Sequence, residues 1–552
     1  MNNKILKSIT AVCLIISVFS CKKNILDVKP TSFVSDATLW ADLNLVDQFV
    51  NNIYGTLPSG FNRKDFGEGD GFEWSRGMSI MAAGTDDADG KLDAKVQLFN
   101  TADITPSFTP YNQDIWTFNY AAIRKCNVLL SRIEEVPGDA ARKKRYKGEA
   151  LFIRAFCYAD LIKTYGGVPL ILTVQNINDD LLVPRNTYAD CVIQIVKDCD
   201  EAALSLPASY GSSDIGRATK GAALSVKAKT FLYQASPLNN PSNALPLWQN
   251  AATAAKAVMD LNVYLLYPDY YNLFIDKINT EVIFARQFLK PQIASPISYT
   301  LGMSAGIGDG TWGGFAPTQN LVDAYEMTNG KPITDPASGY DAQNPYLNRD
   351  SRLDKTVLHN GSSWKGVTIQ TYEGGNANSS SNNDRSRTSY GLKKFLDQSL
   401  VTATQVYQGQ DNNWIFYRYA DVLLMYAEAQ NEAAGPDASV YSAINLVRQR
   451  AGQPGLPGGL SQSLMRNKIH NERRVEMVFE ESRFWDVRRW KQGMTYFNSP
   501  INRMKIIKSG NLLTYTVELY ENRVYKEYQN VFPIPQFEKD KNPNLSQNPG
   551  YN

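Results

Sequence analysis

Long amphipathic helices are predicted at both ends of this chain, and they constrain its fold more than any other sequence feature. In EALFIRAFCYADLIKTYGG, apolar side chains recur every three or four residues, at Leu151, Ala155, Tyr158, Ile162 and Tyr165. This spacing predicts one buried stripe along a helix. The glycine pair that follows predicts where the helix ends, because glycine adopts the left-handed cap at no steric cost.

Similar helical patterns cover residues 37–55, 112–135, 187–206, 217–235 and 245–261, and they return in YADVLLMYAEAQNEAAGP and YSAINLVRQRAG. Consecutive helices of this size predict helix pairs of the tetratricopeptide type, although the repeat consensus is poorly kept. Between them, short aromatic and β-branched pieces alternate with Gly, Pro, Asn and Ser. We therefore predict a mainly α fold in which a helix-pair scaffold carries a large loop-rich insertion with short strands. Binding surfaces usually lie on such loops.

The beginning of the chain predicts export and lipid anchoring. Lys4 and Lys7 precede an apolar run at residues 9–19, which is shorter than the roughly twenty residues of a membrane-spanning helix and is typical of a secretory signal peptide. The tetrapeptide VFSC resembles the lipobox of bacterial lipoproteins, in which Cys21 becomes the lipidated N-terminus, although Phe19 replaces the usual small residue. A multiply acylated cysteine holds a protein stably on a membrane. An ordinary signal peptide with an incidental cysteine is the alternative.

Charge and cysteine spacing exclude several classes of protein. The formal net charge of +2 falls to near zero once the two signal-peptide lysines are removed, and no long basic run exists, so we predict no nucleic-acid partner. Cys126, Cys157, Cys191 and Cys199 form no C-x-x-C pair, so neither a zinc ribbon nor a thioredoxin-like site is predicted. Buried free thiols are the favoured interpretation. A bridge between Cys126 and Cys157 stays open if their helices are neighbours.

Catalytic and cofactor motifs are not found in the sequence. Neither of the two histidines, His359 and His470, lies in a triad or HExxH context, and the charged segment around His470 predicts a solvated side chain. TDDADGKLDAKV is similar to a calcium-binding loop, but Val96 stands where the bidentate glutamate belongs. We predict no cofactor and no EF-hand, while a looser cation site stays open.

The strongest carboxylate cluster lies in NERRVEMVFEESRFWDVRRW, residues 471–490. Glu472, Glu476 and Glu480 are spaced by four and would share one face of a helix. Paired carboxylates are the signature of glycosidases. However, five arginines interleave with these acids, and opposite charges three or four residues apart neutralise each other. We therefore predict structural ion pairs and no catalytic residue.

Several stretches, in order, resemble the SusD/RagB family: NILDVKP, GEALFIRAFCYADLIKTYGGVPLI, RYADVLLMYAEAQN, NERRVEMVFEESRFWDVRRW and FPIPQFEKDKNPNLSQNPGY. The resemblance implies a fold of four tetratricopeptide-like helix pairs with a variable loop region. It also implies an outer-membrane, nutrient-binding lipoprotein that faces the cell exterior and acts as a lid on a SusC-like TonB-dependent transporter. The implied ligand is an oligosaccharide or polysaccharide, held by aromatic platforms without catalysis. These motifs belong to the family's framework, so they transfer no binding residue.

Candidate ligand residues follow from the chemistry of sugars. Sugar rings present apolar C–H faces that stack on flat aromatic side chains, so platforms should be exposed aromatics in loops. This criterion excludes the tryptophans in helical patterns, which are Trp116, Trp248, Trp485 and Trp490. It selects Phe72, Trp74, Tyr299, Trp312 and Trp364, with Arg76 and Asp309 as hydrogen-bonding partners for hydroxyls. Trp312 is the strongest candidate because the glycine-rich stretch around it offers little else to a core.

The sequence thus predicts a cell-surface glycan-binding lipoprotein that delivers nutrient to a transporter. The predicted organisation is a signal peptide at residues 1–20, a lipidated tether at 21–36, a helical scaffold at 37–261, the ligand-binding region at 262–415 and a helical region at 416–552. Two alternatives remain. One is a surface lipoprotein glycosidase that uses Glu472 and Glu476, and the other is a helical-repeat adaptor or peptide-binding protein without a glycan ligand.

Overall fold

A computed structural model describes residues 35–61, 80–90, 95–306, 308–378 and 385–551 of the chain. The predicted functional residues Cys21, Phe72, Trp74 and Arg76 lie outside these ranges. No helix within the described ranges is both long enough and apolar enough to span a membrane.

Helices form almost all of the regular structure before residue 260. They are α1 (Asp36–Leu39), α2 (Leu43–Tyr54), α3 (Gln97–Asn100), α4 (Asn119–Arg132), α5 (Ala140–Tyr165), α6 (Tyr188–Ser205), α7 (Lys220–Ala235) and α8 (Leu245–Met259). From α4 to α8 each helix packs on the next, as predicted for consecutive helix pairs. The segment predicted as one helix over residues 37–55 is divided into α1 and α2, because the side chain of Asp42 caps a new helix by accepting the backbone N–H of Asn44.

The central helix of this scaffold is α5. The side chain of Asp139 caps its start by accepting the backbone N–H of Arg142 at 2.7 Å, and Gly166 ends it with a φ of +75°. The five apolar residues of the predicted stripe are all buried, and so are residues on its other faces. These buried residues include charged ones, such as Glu149, Arg154 and Asp160, because α5 is surrounded by other helices and packs on α2, α4, α6 and α7.

The four remaining cysteines are buried and free. Cys126 lies on α4 and Cys157 on α5, and these helices are neighbours, yet no disulfide joins them. Burial raises the pKa of Cys126 to about 12, so its thiol stays protonated. The interpretation of these cysteines as buried thiols is confirmed.

The regular structure of the loop-rich region consists of short elements, one of which pairs with a strand from the N-terminal part of the chain. The strands are β1 (Ala88–Asp89), β2 (Val282–Arg286), β3 (Ala316–Pro317), β4 (Val357–Leu358), β5 (Ser363–Trp364), β6 (Val367–Thr368), β7 (Gly391–Leu392) and β8 (Trp414–Arg418). The helices are α9 (Ile297–Leu301), α10 (Gln319–Ala324), α11 (Arg352–Thr356) and α12 (Ala403–Tyr407). The strands form antiparallel pairs, β1 with β3, β2 with β8, β4 with β7 and β5 with β6. The predicted domain boundaries stay a prediction, and β8 runs across the one at residues 415 and 416.

The last part of the chain completes the scaffold. Its elements are α13 (Tyr419–Ala434), α14 (Ala438–Arg450), α15 (Gln462–Glu476), α16 (Ser482–Arg489), α17 (Gly493–Tyr496), β9 (Ile501–Ser509), β10 (Leu512–Glu521) and α18 (Gln536–Lys539). Because α13 packs on α8 as well as on α14 and α15, the helices before and after the insertion share one core. The predicted mainly α fold is confirmed.

The spacing of the charged segment, residues 471–490, predicted one continuous helix, but the segment forms two. It breaks at residues 477–481, which we call the elbow, between α15 and α16. Phe479 and Glu481 have φ values of +65° and +63°, a region that non-glycine residues rarely adopt. Glu480 within the elbow accepts hydrogen bonds from Arg418 and Lys394. The break is therefore tied to cations that lie far away in sequence, which spacing alone does not reveal.

A long hairpin in the C-terminal region was not predicted. Strands β9 and β10 pair antiparallel from Ser509 opposite Leu512 outward, with Gly510 and Asn511 as the connecting residues. Gly510 has a φ of +60°, which is the left-handed conformation that two-residue hairpin turns require.

Candidate functional site

Three aromatic rings meet in the loop-rich region, and we call them the platform. Tyr299 lies on α9, Trp312 in the glycine-rich loop after it, and Tyr407 at the end of α12. The centroid of the Tyr299 ring is 4.8 Å from that of Trp312 and 4.9 Å from that of Tyr407, with the planes inclined by 63° and 58°. Tyr407 is 57% exposed, Trp312 is half-buried and Tyr299 is buried. The Tyr299 ring thus supports two rings that reach the surface.

Backbone hydrogen bonds hold the platform loop against α9. The N–H of Trp312 donates to the carbonyl of Tyr299 at 2.9 Å, and the N–H of Gly314 donates to the carbonyl of Thr300 at 3.0 Å. Gly310 has a φ of +76°, and a Cβ there would lie 3.1 Å from the Tyr407 ring. Glycine at this position therefore permits the loop that carries Trp312 to approach Tyr407 closely.

Asp309 anchors the same loop from inside. It is 1% exposed, and its carboxylate accepts hydrogen bonds from Lys365 Nζ at 2.8 Å and from the Thr311 hydroxyl at 2.9 Å. The expectation that Asp309 is available to sugar hydroxyls is therefore wrong, because its oxygens are taken by the protein. Its buried ion pair instead joins the platform loop to the β5–β6 turn.

Trp364 and Tyr299 were also expected to be exposed, and that expectation is wrong. Trp364 is 3% exposed and belongs to the main core, with Lys365 Nζ 5.8 Å from its ring centroid. Tyr299 is 8% exposed. Neighbouring glycines let the backbone turn but do not determine which side of the turn the ring packs against. Tyr299 keeps a place in the site as the support of the platform, whereas Trp364 does not reach its surface.

Among the predicted aromatic residues that the structure describes, Trp312 is the one whose ring reaches the surface. Phe72, Trp74 and Arg76 lie outside those ranges, so their role stays a prediction. Tyr407 was missed, because no local pattern marks it and its ring meets Tyr299 only through the fold. The tryptophans excluded as core residues, Trp116, Trp248, Trp485 and Trp490, are all buried, which confirms the exclusion.

The carboxylates of the glycosidase alternative lie in buried ion pairs. Glu476 binds Arg352 at 2.9 Å, Arg418 at 2.6 Å and also Arg450. Glu472 binds Arg352 at 2.6 Å and Arg448 at 2.9 Å. Structural ion pairs are therefore confirmed, but the predicted partners are wrong: none of these arginines is among the five that interleave with the acids in residues 471–490.

The protonation of Glu476 is also unsuited to acid catalysis. Burial alone would raise its pKa, but Arg450, Arg418 and Arg352 outweigh burial and hold the pKa well below its usual range. A glycosidase needs one carboxylic acid that keeps its proton near neutral pH, and Glu476 has lost its proton there.

The acidic stretch that resembles a calcium loop is neutralised by arginines. Asp86 pairs with Arg483 at 2.8 Å and with Arg474 at 2.9 Å, and Asp87 pairs with Arg474 at 2.6 Å. Burial would raise the pKa of Asp86, but Arg474 and Arg483 lower it to about 2. Within the described ranges, no group of His, Cys, Asp and Glu side chains is arranged to hold a metal ion. These acids therefore join residues 86–87 to the region around the elbow.

The expectation that His470 is solvated is wrong. Its ring stacks on Trp490, with the centroids 3.5 Å apart and the planes inclined by 12°. Burial lowers the pKa of His470 to about 3, so the imidazole is neutral at physiological pH. It acts as part of the packing between α15 and the end of α16.

Comparisons with known proteins agree with this architecture. The SusD family model matches residues 280–551, and a family model described as "Starch-binding associating with outer membrane" matches residues 81–232. The chain is 25% identical to the SusD-like protein P25 of Formosa agariphila, covering 88% of this chain and 90% of that protein.

Solved structures resemble this chain over nearly its whole length. A SusD-like protein from Bacteroides fragilis superposes with a TM-score of 0.79 at 29% identity, covering 94% of this chain and 99% of the other. A SusD-like carbohydrate-binding protein from the same species superposes with a TM-score of 0.77 at 24% identity, covering 92% and 100%.

Proposed function

The chain belongs to the SusD/RagB family, and on that premise we propose that it is a cell-surface glycan-binding lipoprotein without catalytic activity. It captures an oligosaccharide or polysaccharide and delivers it to a SusC-like TonB-dependent transporter in the outer membrane. The observation that carries the proposal is the platform, in which Trp312 and Tyr407 reach the surface above the buried Tyr299 ring.

The platform suits a sugar chain for two physical reasons. Flat rings offer the apolar face that the C–H side of a pyranose contacts, and aromatic side chains lose little conformational entropy when they bind. Gly306 and Gly308, which precede Trp312 in the chain, are exposed and carry no side chain, so their backbone is accessible to hydroxyl groups. The fixed loop adds preorganisation, which limits the entropy lost on binding.

Affinity electrophoresis through gels that contain polysaccharides tests this function. The purified protein should be retarded by at least one polysaccharide and should release no reducing ends after a day with the same material. Unretarded migration in every gel would support the adaptor or peptide-binding alternative. Released reducing ends would support the glycosidase alternative.

The transporter proposal rests on family membership. We expect a SusC-like outer-membrane protein to co-purify with this chain, in a one-to-one ratio, from membranes solubilised in mild detergent. A chain that always elutes alone from such extracts would contradict it.

Lipid attachment at Cys21 predicts a change of fraction on mutation. Cys21→Ala should move the protein from the membrane fraction to the soluble fraction and abolish its labelling by a radioactive fatty acid. Cys13→Ala, which changes another cysteine of the same signal segment, is the matched control and should alter neither. If Cys21→Ala still incorporates fatty acid, the anchor is elsewhere.

A further inference from the structure

The platform loop, residues 308–314, is so rich in glycine that its own backbone does not fix its shape. Gly308, Gly310 and Gly313 all have left-handed conformations, with φ values of +69°, +76° and +62°. Glycine has more conformational freedom to lose on folding than any other residue. The direction in which Trp312 points therefore depends on the contacts between this loop and the rest of the protein.

Two sets of contacts hold the loop. From Trp312 onward, backbone hydrogen bonds fix it to α9 and to the residue after α9. Before Trp312, the loop is held by the side chain of Asp309, which is buried. One carboxylate oxygen of Asp309 accepts a hydrogen bond from the Thr311 hydroxyl at 2.9 Å, and the other accepts from Lys365 Nζ at 2.8 Å. The carboxylate thus links Lys365 to the residue next to Trp312.

Lys365 occupies a backbone position that lysine does not favour. Together with Gly366 it forms the two-residue turn between β5 and β6, and the φ values of the two residues are +48° and +83°. Asn-Gly and Asp-Gly are the usual pairs in a turn of this kind, because few other non-glycine residues adopt positive φ. The turn by itself would favour asparagine, so the reason for a lysine is to be found in the contacts of its side chain.

The side chain of Lys365 is buried although its turn lies at the surface. Gly366 is exposed, whereas the Lys365 side chain is 3% exposed. Lysine ordinarily extends its ammonium group to water, and a buried charge needs a partner. The partner here is the buried carboxylate of Asp309. Because leaving either charge unpaired is costly, the pair holds its two partners in one arrangement.

The hairpin that carries Lys365 is itself fixed to the protein. Trp364, the neighbour of Lys365, is buried in the main core. The backbone pairing also continues beyond the two strands, since the N–H of Ile369 donates to the carbonyl of Ser362 at 2.8 Å and the N–H of Gly361 donates to the carbonyl of Ile369 at 2.8 Å. Lys365 therefore reaches the platform loop from a rigid base.

We propose that Lys365 is a positioning residue of the platform. From the fixed turn it holds Asp309, and through Asp309 and Thr311 it sets the direction of the Trp312 ring. Glycan affinity then depends on a buried ammonium group that the ligand does not contact, because a preorganised ring loses less entropy on binding than a mobile one. The part that concerns affinity rests on the proposed function, whereas the part that concerns the direction of the ring does not.

Two variants of the full-length mature protein remove the ion pair in different ways. Lys365→Met keeps the aliphatic stem but loses the ammonium group, so Asp309 is left as a lone buried charge. Adding Asp309→Asn gives a double variant with no unpaired charge, and its amide oxygen can still accept from the Thr311 hydroxyl. In affinity gels we expect both proteins to bind polysaccharide about tenfold more weakly than wild type. The double variant should melt closer to wild type than Lys365→Met does.

Fluorine NMR reports on the Trp312 ring itself. The chain has nine tryptophans, and labelling with 5-fluorotryptophan gives each of them a resonance, which is assigned by its loss in the corresponding Trp→Phe variant. In the double variant we expect the Trp312 resonance to shift or broaden, because the ring is no longer held in one direction. The resonances of the core tryptophans should stay in place, which a general loss of structure would not allow. These are Trp116, Trp248, Trp485 and Trp490.

Lys229→Met is the matched control. Lys229 lies 3.2 Å from the buried carboxylate of Asp421, so this variant also takes a lysine away from a buried aspartate. The pair joins α7 to α13 in the scaffold, and neither residue belongs to the platform. Lys229→Met should therefore keep the glycan affinity and the Trp312 resonance of wild type, whatever its melting temperature.

Two results would overturn the proposal. One is a double variant that binds polysaccharide as tightly as wild type, and the other is a double variant whose Trp312 resonance is unchanged. If wild type itself is retained by no polysaccharide, the proposed function fails, and a displaced Trp312 resonance in the double variant would still support the role of Lys365 in positioning the ring.

Discussion

Trp312→Ala is expected to abolish retention on polysaccharide gels, with an affinity loss of about thirtyfold or more and little change in melting temperature. Truncating a tryptophan at the centre of a binding surface typically costs about 2 kcal/mol or more, which corresponds to that factor. The fold should tolerate the change, because Trp312 is half-buried and packs on a small cluster of Tyr299, Leu400 and Val406 outside the main core.

The matched control is Trp40→Ala. Trp40 is another half-buried tryptophan, but it packs on Phe49 at the start of the chain, far in sequence from the platform. This variant should bind glycan like wild type. Tyr407→Ala should weaken binding while leaving the melting temperature unchanged, because its ring is mostly exposed. If Trp312→Ala binds glycan at wild-type strength, the glycan-binding surface is not the platform, and Trp74 becomes the next candidate.

The sequence predicted the scaffold well because local signals determine its helices. Each of these signals depends on residues that are close in sequence. They are the apolar stripe of α5, the glycine pair that ends it, and the proline or glycine residues that separate one helix from the next. The β9–β10 hairpin was missed although a signal was present: Gly510 and Asn511 stand between residues of high β-propensity, and such a pair favours a two-residue turn.

The site was predictable only in part, because its surface depends on contacts between distant segments. Glycine neighbours correctly singled out Trp312, but the same criterion selected Trp364, which β5 places in the core. Tyr407 contacts the platform through the ring of Tyr299, which lies on α9, more than a hundred residues earlier in the chain. The elbow likewise depends on Arg418 and Lys394, so the regular spacing of the glutamates predicted a continuous helix that the structure does not have.

Glu476→Gln is expected to lower the free energy of unfolding by about 3–5 kcal/mol without a direct effect on glycan affinity. The substitution keeps the shape of the side chain but removes its charge, and Arg352, Arg418 and Arg450 then share a buried cluster with one anion fewer. Breaking a buried ion pair from one side typically costs this much because a buried charge is left uncompensated. The measurement is the midpoint of urea unfolding, followed by gel retention of the folded variant.

Glu373→Gln is the matched control for this prediction. Glu373 is mostly exposed and its carboxylate lies 3.8 Å from Lys505, and exposed pairs contribute little to stability. This variant should unfold like wild type. A Glu476→Gln protein that unfolds like wild type but no longer binds glycan would contradict the structural role of Glu476 and return it to the candidate ligand residues.

The pH dependence of unfolding gives an independent check on the same carboxylate. The pKa of Glu476 in the folded protein is well below its usual value of 4.5, whereas the unfolded chain restores the usual value. Its contribution to stability is therefore fully present above about pH 4.5 and is lost as the pH falls from there toward the folded pKa. Wild type should consequently lose stability on acidification below pH 4.5 more steeply than Glu476→Gln, because glutamine has no proton to take up. Parallel acid profiles for the two proteins would show that the arginine cluster does not hold Glu476 in its charged form.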